Sequence, residues 1–566
     1  MTLDIPHAPR LSDDVVLLRG LEEDDVAAMV AQCTDAQALR WLPLPQPYGP
    51  EQAREFIAAA RAGWADAFGA DAAAAARSRR CWAIQTADMG FAGFINYRQS
   101  GYGSAEVGFV VHPAARGRGL AARALRLVVD YAFDVEGLQV LRWRAVVGNW
   151  ASRRAAWSCG FRFEATTRGS LAPPPSAPAA GPCEAWEASL RADEPRAPQT
   201  PWLNAPVLIS PAARLRPWRA DDVLPEVRDE LAERFLGDLV PTAAEFPAWL
   251  HARQERSAAG EGVFWCIADP SSDRVLGAIH VFRLNQPSRP GGRIGYWLLP
   301  SARGRGVLAA ALDEVVRYAF AAPENEGLGL ERLSADAETT NLPSLAGLRR
   351  AGFRPIGVAR GALLSHRPGA GNVDMVEVEL HQRALLRAPE WQLLRLPMLG
   401  EEDVTLSAFT DEDVPAIAEL LREPDGWPGA HPHADAQDAQ DWLRELRAAH
   451  AVGEMVCWAI RVNRTPVGTL RAQLKNDQSE IAVWVRAAER KKGVARAAVR
   501  LGAEHLLAAP RAGGAGLRRL SAITAADNRA SQATLDAAGF RRWGCEPAVP
   551  GAASTASAEN WHYYRD

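Results

Sequence analysis

EVGFVVHPAARGRGLAARAL, residues 106–125, decides how the rest of the chain is read. An apolar run at 106–111 gives way to a basic turn with two glycines, and then to an alanine-rich stretch. Valine and phenylalanine suit a strand, glycine suits a tight turn, and Leu125, Val128, Val129 and Ala132 return on one helical face. The stretch occurs twice more, as RIGYWLLPSARGRGVLAAAL from Arg293 and EIAVWVRAAERKKGVARAAV from Glu480, each beginning 187 residues after the last. In the second copy Leu312, Val315, Val316 and Ala319 hold the same helical offsets.

Other signatures travel with it. Downstream stand NWASRRAAWSCGF from Asn149, NLPSLAGLRRAGF from Asn341 and NRASQATLDAAGF from Asn528. Each Asn can N-cap a short helix, and Gly160, Gly352 or Gly539 can end it. Upstream, Trp82, Trp265 and Trp458 each open a Trp-x-Ile triplet that leads to Gly93, Gly277 or Gly468. Between triplet and glycine lie turn residues, Asp88 in the first copy and residues 270–273 in the second, so two strands are expected there. Each copy opens with a strand-like stretch and an acidic step: LLRGLEEDD, RLRPWRADD and TLSAFTDED. Residues 56–68 and 249–258 carry amphipathic helical pattern.

A period near 190 residues is too long for a solenoid unit and fits duplicated whole domains. The expected bounds are 1–192, 206–382 and 400–566, with linkers at 192–205 and 383–400. Leu394, Leu396 and Met398 could pack, which blurs the second linker. The run LAPPPSAPAAGP, residues 171–182, reads as a loop before the last strand of the first domain. Strands recurring between helices give an α/β or α+β class with a mixed sheet.

Composition narrows the function. The 566 residues carry 64 Lys+Arg against 68 Asp+Glu, a formal net charge of −4, so no global case for nucleic-acid binding exists. No apolar run reaches membrane-spanning length, and the first 14 residues lack an apolar signal core. Seven dispersed cysteines fit a reducing cytoplasm, read as small core hydrophobes with no metal-ligand spacing.

A strand, then Arg-Gly-Arg-Gly, then a helix is an anion-binding arrangement. Glycines let backbone N–H groups approach a phosphate, and the helix start adds unpaired donors and a positive dipole end. Arg116, Arg118, Arg303 and Arg305 place charge there. A dinucleotide fold is disfavoured, because Ala122 and Ala309 stand where a third glycine belongs.

Arg-Gly-Arg-Gly-x-Ala after a strand, followed by Asn-x-x-Ser and Gly-Phe, resembles the GCN5-related N-acetyltransferases (GNAT). LLRGLEEDD and the Glu-x-Gly-Phe strand look most like the ribosomal-protein alanine acetyltransferase branch. The resemblance covers nearly the whole chain as three tandem copies. It implies, for each, a mixed, mostly antiparallel twisted sheet flanked by helices, with two central strands splayed around acetyl-CoA and no metal. The pyrophosphate would lie on the backbone of Arg116, Gly117, Arg118, Gly119, Leu120 and Ala121, and of Arg303, Gly304, Arg305, Gly306, Val307 and Leu308. The pantetheine arm would run beside Val110 and Val111. Asn149 and Asn341 match the position that hydrogen-bonds the arm. Ser152 and Ser344 match the hydroxyl that protonates the leaving thiolate, and Glu106 matches the base that acts on the acceptor amine.

Each residue keeps a plainer reading. Glu106 could be an exposed strand-end carboxylate, Ser152 a solvated first-turn residue and Asn149 a simple N-cap. The three tryptophans read as core.

The copies are unequal. The second has Arg293 where Glu106 stands, and an arginine cannot act as a base at neutral pH; Asp374 or Glu377 are candidate replacements. The third reads Arg490-Lys-Lys-Gly, with Lys491 in place of the first glycine, but keeps Glu480, Asn528 and Ser531. Expected activity therefore falls from the first copy to the third. The leading expectation is transfer of acetyl from acetyl-CoA to a primary amine of a peptide, protein or small molecule, without a covalent enzyme intermediate. The alternatives are an antibiotic- or toxin-modifying acetyltransferase, and a scaffold built of decayed acetyltransferase domains. Tandem copies could stand in for dimer contacts, which favours a monomer.

Overall fold

The structure is a computed structural model that describes residues 8–67, 78–175, 181–286, 291–365, 371–382, 394–401, 403–423, 431–546 and 560–566. Phe68, residues 176–180 of the Pro/Ala loop and residues 383–393 of the second linker lie outside the described residues. Contacts divide the chain into two compact units, Met1–Pro201 and Trp202–Asp566. The first holds one eight-stranded sheet and the second holds two.

In the first unit the strands are β1 (Leu11–Ser12), β2 (Leu17–Arg19), β3 (Arg79–Thr86), β4 (Met89–Gly101), β5 (Ser104–Val111), β6 (Val140–Val146), β7 (Arg162–Leu171) and β8 (Cys183–Arg191). They lie in the order β1-β2-β3-β4-β5-β6-β8-β7, with β5 and β6 parallel and the other neighbours antiparallel. Helices α1 (Val26–Cys33), α2 (Ala36–Trp41) and α3 (Pro50–Ala67) come before β3, and α1 and α3 pack on one face against Phe94 and Val110. Helices α4 (Leu120–Asp130) and α5 (Trp150–Ser158) belong to the other face. Helix α4 ends one turn earlier than its pattern suggests and passes into a π turn, Tyr131–Val135, yet Ala132 stays fully buried.

The second unit repeats this plan twice. Its first sheet holds β9 (Leu208–Ile209), β10 (Arg214–Pro217), β11 (Gly262–Ala268), β12 (Val275–Phe282), β13 (Gly292–Leu298), β14 (Arg332–Glu338), β15 (Arg354–Leu364) and β16 (Asn372–His381). Its helices are α6 (Glu230–Phe235), α7 (Phe246–Ala258), α8 (Val307–Phe320) and α9 (Leu342–Arg350). The last sheet holds β17 (Leu399–Glu401), β18 (Val404–Ser407), β19 (Met455–Val462), β20 (Thr465–Lys475), β21 (Gln478–Val485), β22 (Arg519–Ala525), β23 (Arg541–Glu546) and β24 (Asn560–Arg565). Its helices are α10 (Val414–Leu421), α11 (Ala436–Ala451), α12 (Val494–Leu507) and α13 (Arg529–Ala537). Both sheets repeat the strand order of the first. The chain is thus three tandem mixed sheets flanked by helices. Among the described residues no helix is long and apolar enough to cross a membrane.

The recurring sequence signatures are core devices. Trp82, Trp265 and Trp458 are fully buried. Each indole N–H donates to a proline carbonyl ahead of the sheet's first strand: Pro9 at 2.9 Å, Pro206 at 2.8 Å and Pro397 at 3.3 Å. The acidic step is a buried ion pair. Asp25 takes both Nη atoms of Arg19, at 2.8 and 2.7 Å, and also accepts the Glu22 N–H. Arg216 and Asp222 repeat this, with Asp222 accepting the Arg219 N–H. In the third copy Ser407 stands in the arginine's place, and Arg461 reaches in from β19 to bind both Ser407 and Asp413. Losing one partner of such a buried pair leaves an uncompensated charge, which costs about 3–5 kcal/mol. Of the seven cysteines, five are buried, Cys183 is half-buried and Cys545 is exposed.

Glycine is needed at two kinds of place. A Cβ on Gly93, Gly277 or Gly468 would stand 2.2 Å from the carbonyl oxygen of Val110, Trp297 or Trp484, so the strand crossing itself excludes a side chain. Gly117 and Gly119 instead have open space around the Cβ position but φ values of 76° and 73°. We therefore expect Gly93→Ala to destabilise the first unit by about 3 kcal/mol through overpacking. Gly117→Ala should cost about 1 kcal/mol through backbone strain alone. Denaturant unfolding of both variants checks the order; equal losses would refute the steric account.

Candidate functional site

The site begins where two strands part. β5 and β6 pair only from Ser104↔Val140 to Val107↔Trp143. β13 and β14 share two register pairs, Gly292↔Leu333 and Arg293↔Ser334. β21 and β22 share three, ending at Glu480↔Ser521. Beyond these points β5 stays paired to β4 as far as Val111 on its other side. Backbone groups of residues 108–111 that point away from β4 therefore line a gap, Val110 and Val111 among them. Unpaired strand-edge groups of this kind are ready to bind an extended ligand.

At the gap's mouth the chain makes one 3-10 turn, Pro113–Ala115, and then the glycine turn. Gly119 and Gly306 are the N-cap residues of α4 and α8, at φ 73° and 77°. Neither helix start has a side-chain cap. The N–H groups at Leu120, Ala121, Val307 and Leu308 thus begin helices of 11 and 14 residues without a side-chain acceptor. In the third copy Gly493 repeats this geometry at φ 81°, and Lys491 takes the first glycine's place at φ 63°. The loop keeps its shape there although a lysine must hold a left-handed conformation.

The turn's arginines are engaged. Arg116 bonds Asp35 at 2.5 Å, and Asp35 also caps α2 by accepting from Gln37 and Ala38 N–H. Arg303 makes a two-pronged contact with Asp229, at 2.7 and 2.8 Å, and Asp229 caps α6 in the same way. These arginines hold both carboxyls below the usual carboxylate range. The first arginine thus ties the turn to a preceding helix, and what it offers the gap is backbone. Arg118 is paired with Asp88 at 2.9 Å. Arg305 bonds only the Ser301 carbonyl and has no carboxylate partner among the described residues.

On the gap's far side Asn149, Asn341 and Asn528 each cap a helix, accepting the N–H of Ser152, Ser344 or Ser531 at 3.3, 3.3 and 3.1 Å. The serines differ. Trp143 Nε1 donates to Ser152 Oγ at 3.1 Å. Ala335 replaces that tryptophan in the second copy, and the Tyr296 hydroxyl lies 2.8 Å from Ser344 Oγ. Burial pushes the Tyr296 phenol above its ordinary pKa, which keeps it protonated. Neither a tryptophan nor a tyrosine meets Ser531 among the described residues.

The strand-start residues also differ. Glu106 Oε2 accepts from Nε and Nη2 of Arg144, at 3.1 and 2.8 Å, with both side chains part-exposed. At the same register the second copy reverses the charges, pairing Arg293 with Asp336. In the third copy Ile523 takes the partner position, and Glu480 has no ion pair among the described residues. The replacement carboxylates suggested for the second copy lie apart: Asp374 is buried and accepts the Gly361 N–H at 2.8 Å, whereas Glu377 is exposed.

The sequence reading missed Trp143, Tyr296, Arg144, Asp336, Asp35 and Asp229. The two capping aspartates, each placed at the start of a helical stretch, were the ones with a local signal.

Comparisons now have a geometry to meet. The acetyltransferase (GNAT) domain family matches residues 16–162, 213–354 and 403–541. "Probable N-acetyltransferase YjcK" of Bacillus subtilis is 34% identical over 107 residues, 19% of this chain and 56% of the relative. "Putative ribosomal N-acetyltransferase YdaF" of the same organism is 36% identical over 89 residues, 16% of this chain and 45% of the relative. The chain spans about half the length of these curated relatives. Among solved structures, a GNAT-family acetyltransferase from Bacillus anthracis aligns at 16% identity and a TM-score of 0.28, covering 33% of this chain and 100% of its own. With the family matched at all three sheets and over most of its length, this chain belongs to the GNAT acetyltransferase family.

Proposed function

We propose that the first and second domains, within bounds 1–192 and 206–382, transfer acetyl from acetyl-CoA to a primary amine, and that the first is the more active. The observation that carries this is the parted strand pair opening onto a helix start whose N–H groups lack a side-chain cap. The pyrophosphate would rest on Gly117, Gly119, Leu120 and Ala121, and on Gly304, Gly306, Val307 and Leu308. Arg118 and Arg305 would lie nearest its charge, with Arg116 and Arg303 holding the turn. The arm would bind the free edge at Val110 and Val111, and Asn149 and Asn341 would offer it their amide N–H groups.

The chemistry follows from these placements. The amine must be neutral to attack the thioester carbonyl, so its proton passes through water toward Glu106, which Arg144 orients. The carbonyl oxygen takes up charge near backbone N–H groups of the free edge. As the tetrahedral intermediate collapses, the carbon–sulfur bond breaks and the CoA thiolate takes the Ser152 hydroxyl proton, while Ser152 regains a proton from water. An indole N–H can only donate, so Trp143 uses a lone pair of Ser152 and leaves the serine's own proton free. Tyr296 is the corresponding partner of Ser344. The relative named as a putative ribosomal N-acetyltransferase favours an amine of a ribosomal component as one acceptor class. The third domain, 400–566, with Lys491 in the turn and Ser531 lacking such a partner, fits a binding role better.

Calorimetric titration with acetyl-CoA should give one or two sites. Replacing Gly117 and Gly119 with tryptophan should remove one, and the same change at Gly304 and Gly306 the other. No binding by the folded chain would end the acyltransferase reading.

With domain 2 disabled in that way, Ser152→Ala and Trp143→Phe should each lower kcat about tenfold, the size of one lost hydrogen bond. KM for acetyl-CoA should hold steady. The double variant should be no slower than Ser152→Ala; additive losses would show that Trp143 acts only through packing.

A further inference from the structure

The reversed pair Arg293–Asp336 sits among other cations. On β13, Arg293 and Trp297 are on the sheet face that packs α7, opposite the α8 core. A cavity of about 180 Å³ opens at the start of this strand, lined by Arg283, Gly291, Gly292, Arg293, Arg332 and Ser334. Arg332 is 3.6 Å from Glu379. Arg283 is exposed and has no ion pair among the described residues. Glu377 also lines the cavity and has no ion pair among the described residues.

The same sheet face carries α7. Arg253 lies over the rings of Trp249 and Phe264, at 4.7 and 5.5 Å, and its buried Nε has no hydrogen-bond partner. Burial, with Arg256 nearby, pushes this guanidinium down to about 10. Arg256 is paired with Glu261 at 3.0 Å. His280 packs between Phe264 and Phe282, and Phe282 is the register partner of Arg293. Burial, then the charges of Arg253 and Arg256, push His280 down to about 3, so it is neutral at pH 7. Of the charged side chains that line the cavity, Arg283, Arg293 and Arg332 outnumber Glu377, and Arg283 is the arginine among them with no carboxylate partner among the described residues. An anion in the cavity would meet that arginine.

The other copies lack this set. At the positions of His280, Arg293 and Asp336 the first has Asn96, Glu106 and Arg144, and the third has Arg471, Glu480 and Ile523. Counting back from Trp458 as from Trp265, Leu446 stands where Arg253 does.

We infer that the second domain has an anion-binding site at the start of β13, fitted to the carboxylate or phosphate group of a small molecule. It lies about 20 Å, the length of β13, from the strand end that leads to the Gly304 turn, so it is separate from the proposed pyrophosphate seat. As a binding site it stands apart from the acyl-transfer reading. Only the further step, that this domain's acceptor carries an anionic group, rests on that reading.

The full chain would be titrated by calorimetry with succinate and, separately, with inorganic phosphate. Arg283→Gln and the double change Arg293→Glu with Asp336→Arg would be run beside it. The double change restores the first domain's polarity and keeps an ion pair, so the fold has reason to hold. Saturable binding of either probe with Kd below about 5 mM, weakened tenfold or more in both variants, is the expected result, and the tighter probe names the group. Failure of both probes to saturate, or unchanged binding in the double variant, overturns the site. Acetyl-CoA is titrated into the same samples. Unchanged acetyl-CoA binding in the variants supports two separate sites. If acetyl-CoA fails everywhere while the anion site behaves as expected, the site stands and the acyl-transfer reading falls.

Discussion

The structure turns on two central parallel strands that pair at one end and part at the other while each stays paired to its outer neighbour. β5 is paired to β4 along its length and β6 to β8 along its own, while the two share four register pairs. The twist of each half then carries their far ends apart. The parting leaves backbone donors and acceptors that water or a ligand must satisfy. It also sets the far end of β5 beside the helix start that its turn leads into. The other parallel pairs part even sooner, after two and three register pairs. Every residue given a part in the proposed acyl transfer sits along such a wedge or braces its rim.

Bracing has been conserved by different means in the three copies. Asp413 keeps a buried guanidinium although Ser407 stands where Arg19 and Arg216 stand, because Arg461 arrives from the neighbouring strand. The left-handed turn survives Lys491 because nothing crowds a Cβ at the equivalent Gly117 and Gly304. Side chains near the start of the parting strands have diverged in sign as well as size. The Glu106–Arg144 pair has become Arg293–Asp336, and then Glu480 beside Ile523. Such a pattern separates what the backbone demands from what a ligand would read.

That separation also explains how much was visible in the sequence. The tryptophans, the close-approach glycines, the turn and the asparagine caps could be seen because each is a strong residue type at a repeated spacing. The sheet class followed from the alternation of strands and helices. Partners across the fold could not be seen, since nothing in a linear reading joins Arg116 to Asp35, 81 positions earlier, or Glu106 to Arg144, 38 positions later. Local reasoning put the backbone and the charge of Arg116 and Arg303 at one place, and it could not show that their guanidiniums reach helix-capping aspartates. Trp143 went unnoticed for a related reason: inward-facing strand tryptophans read as core, and this one is core with one polar atom turned toward Ser152.

The bond from each buried tryptophan to a proline carbonyl ties the peptide ahead of each sheet to that sheet's core. The acceptors, Pro9, Pro206 and Pro397, precede their tryptophans by 73, 59 and 61 positions and sit just ahead of the first strand. Because the acceptor is a main-chain carbonyl, the lead-in peptide has to occupy that place whatever its side chains, or a buried indole N–H loses its partner. The peptide ahead of each sheet is thus part of the domain's core and not spacer.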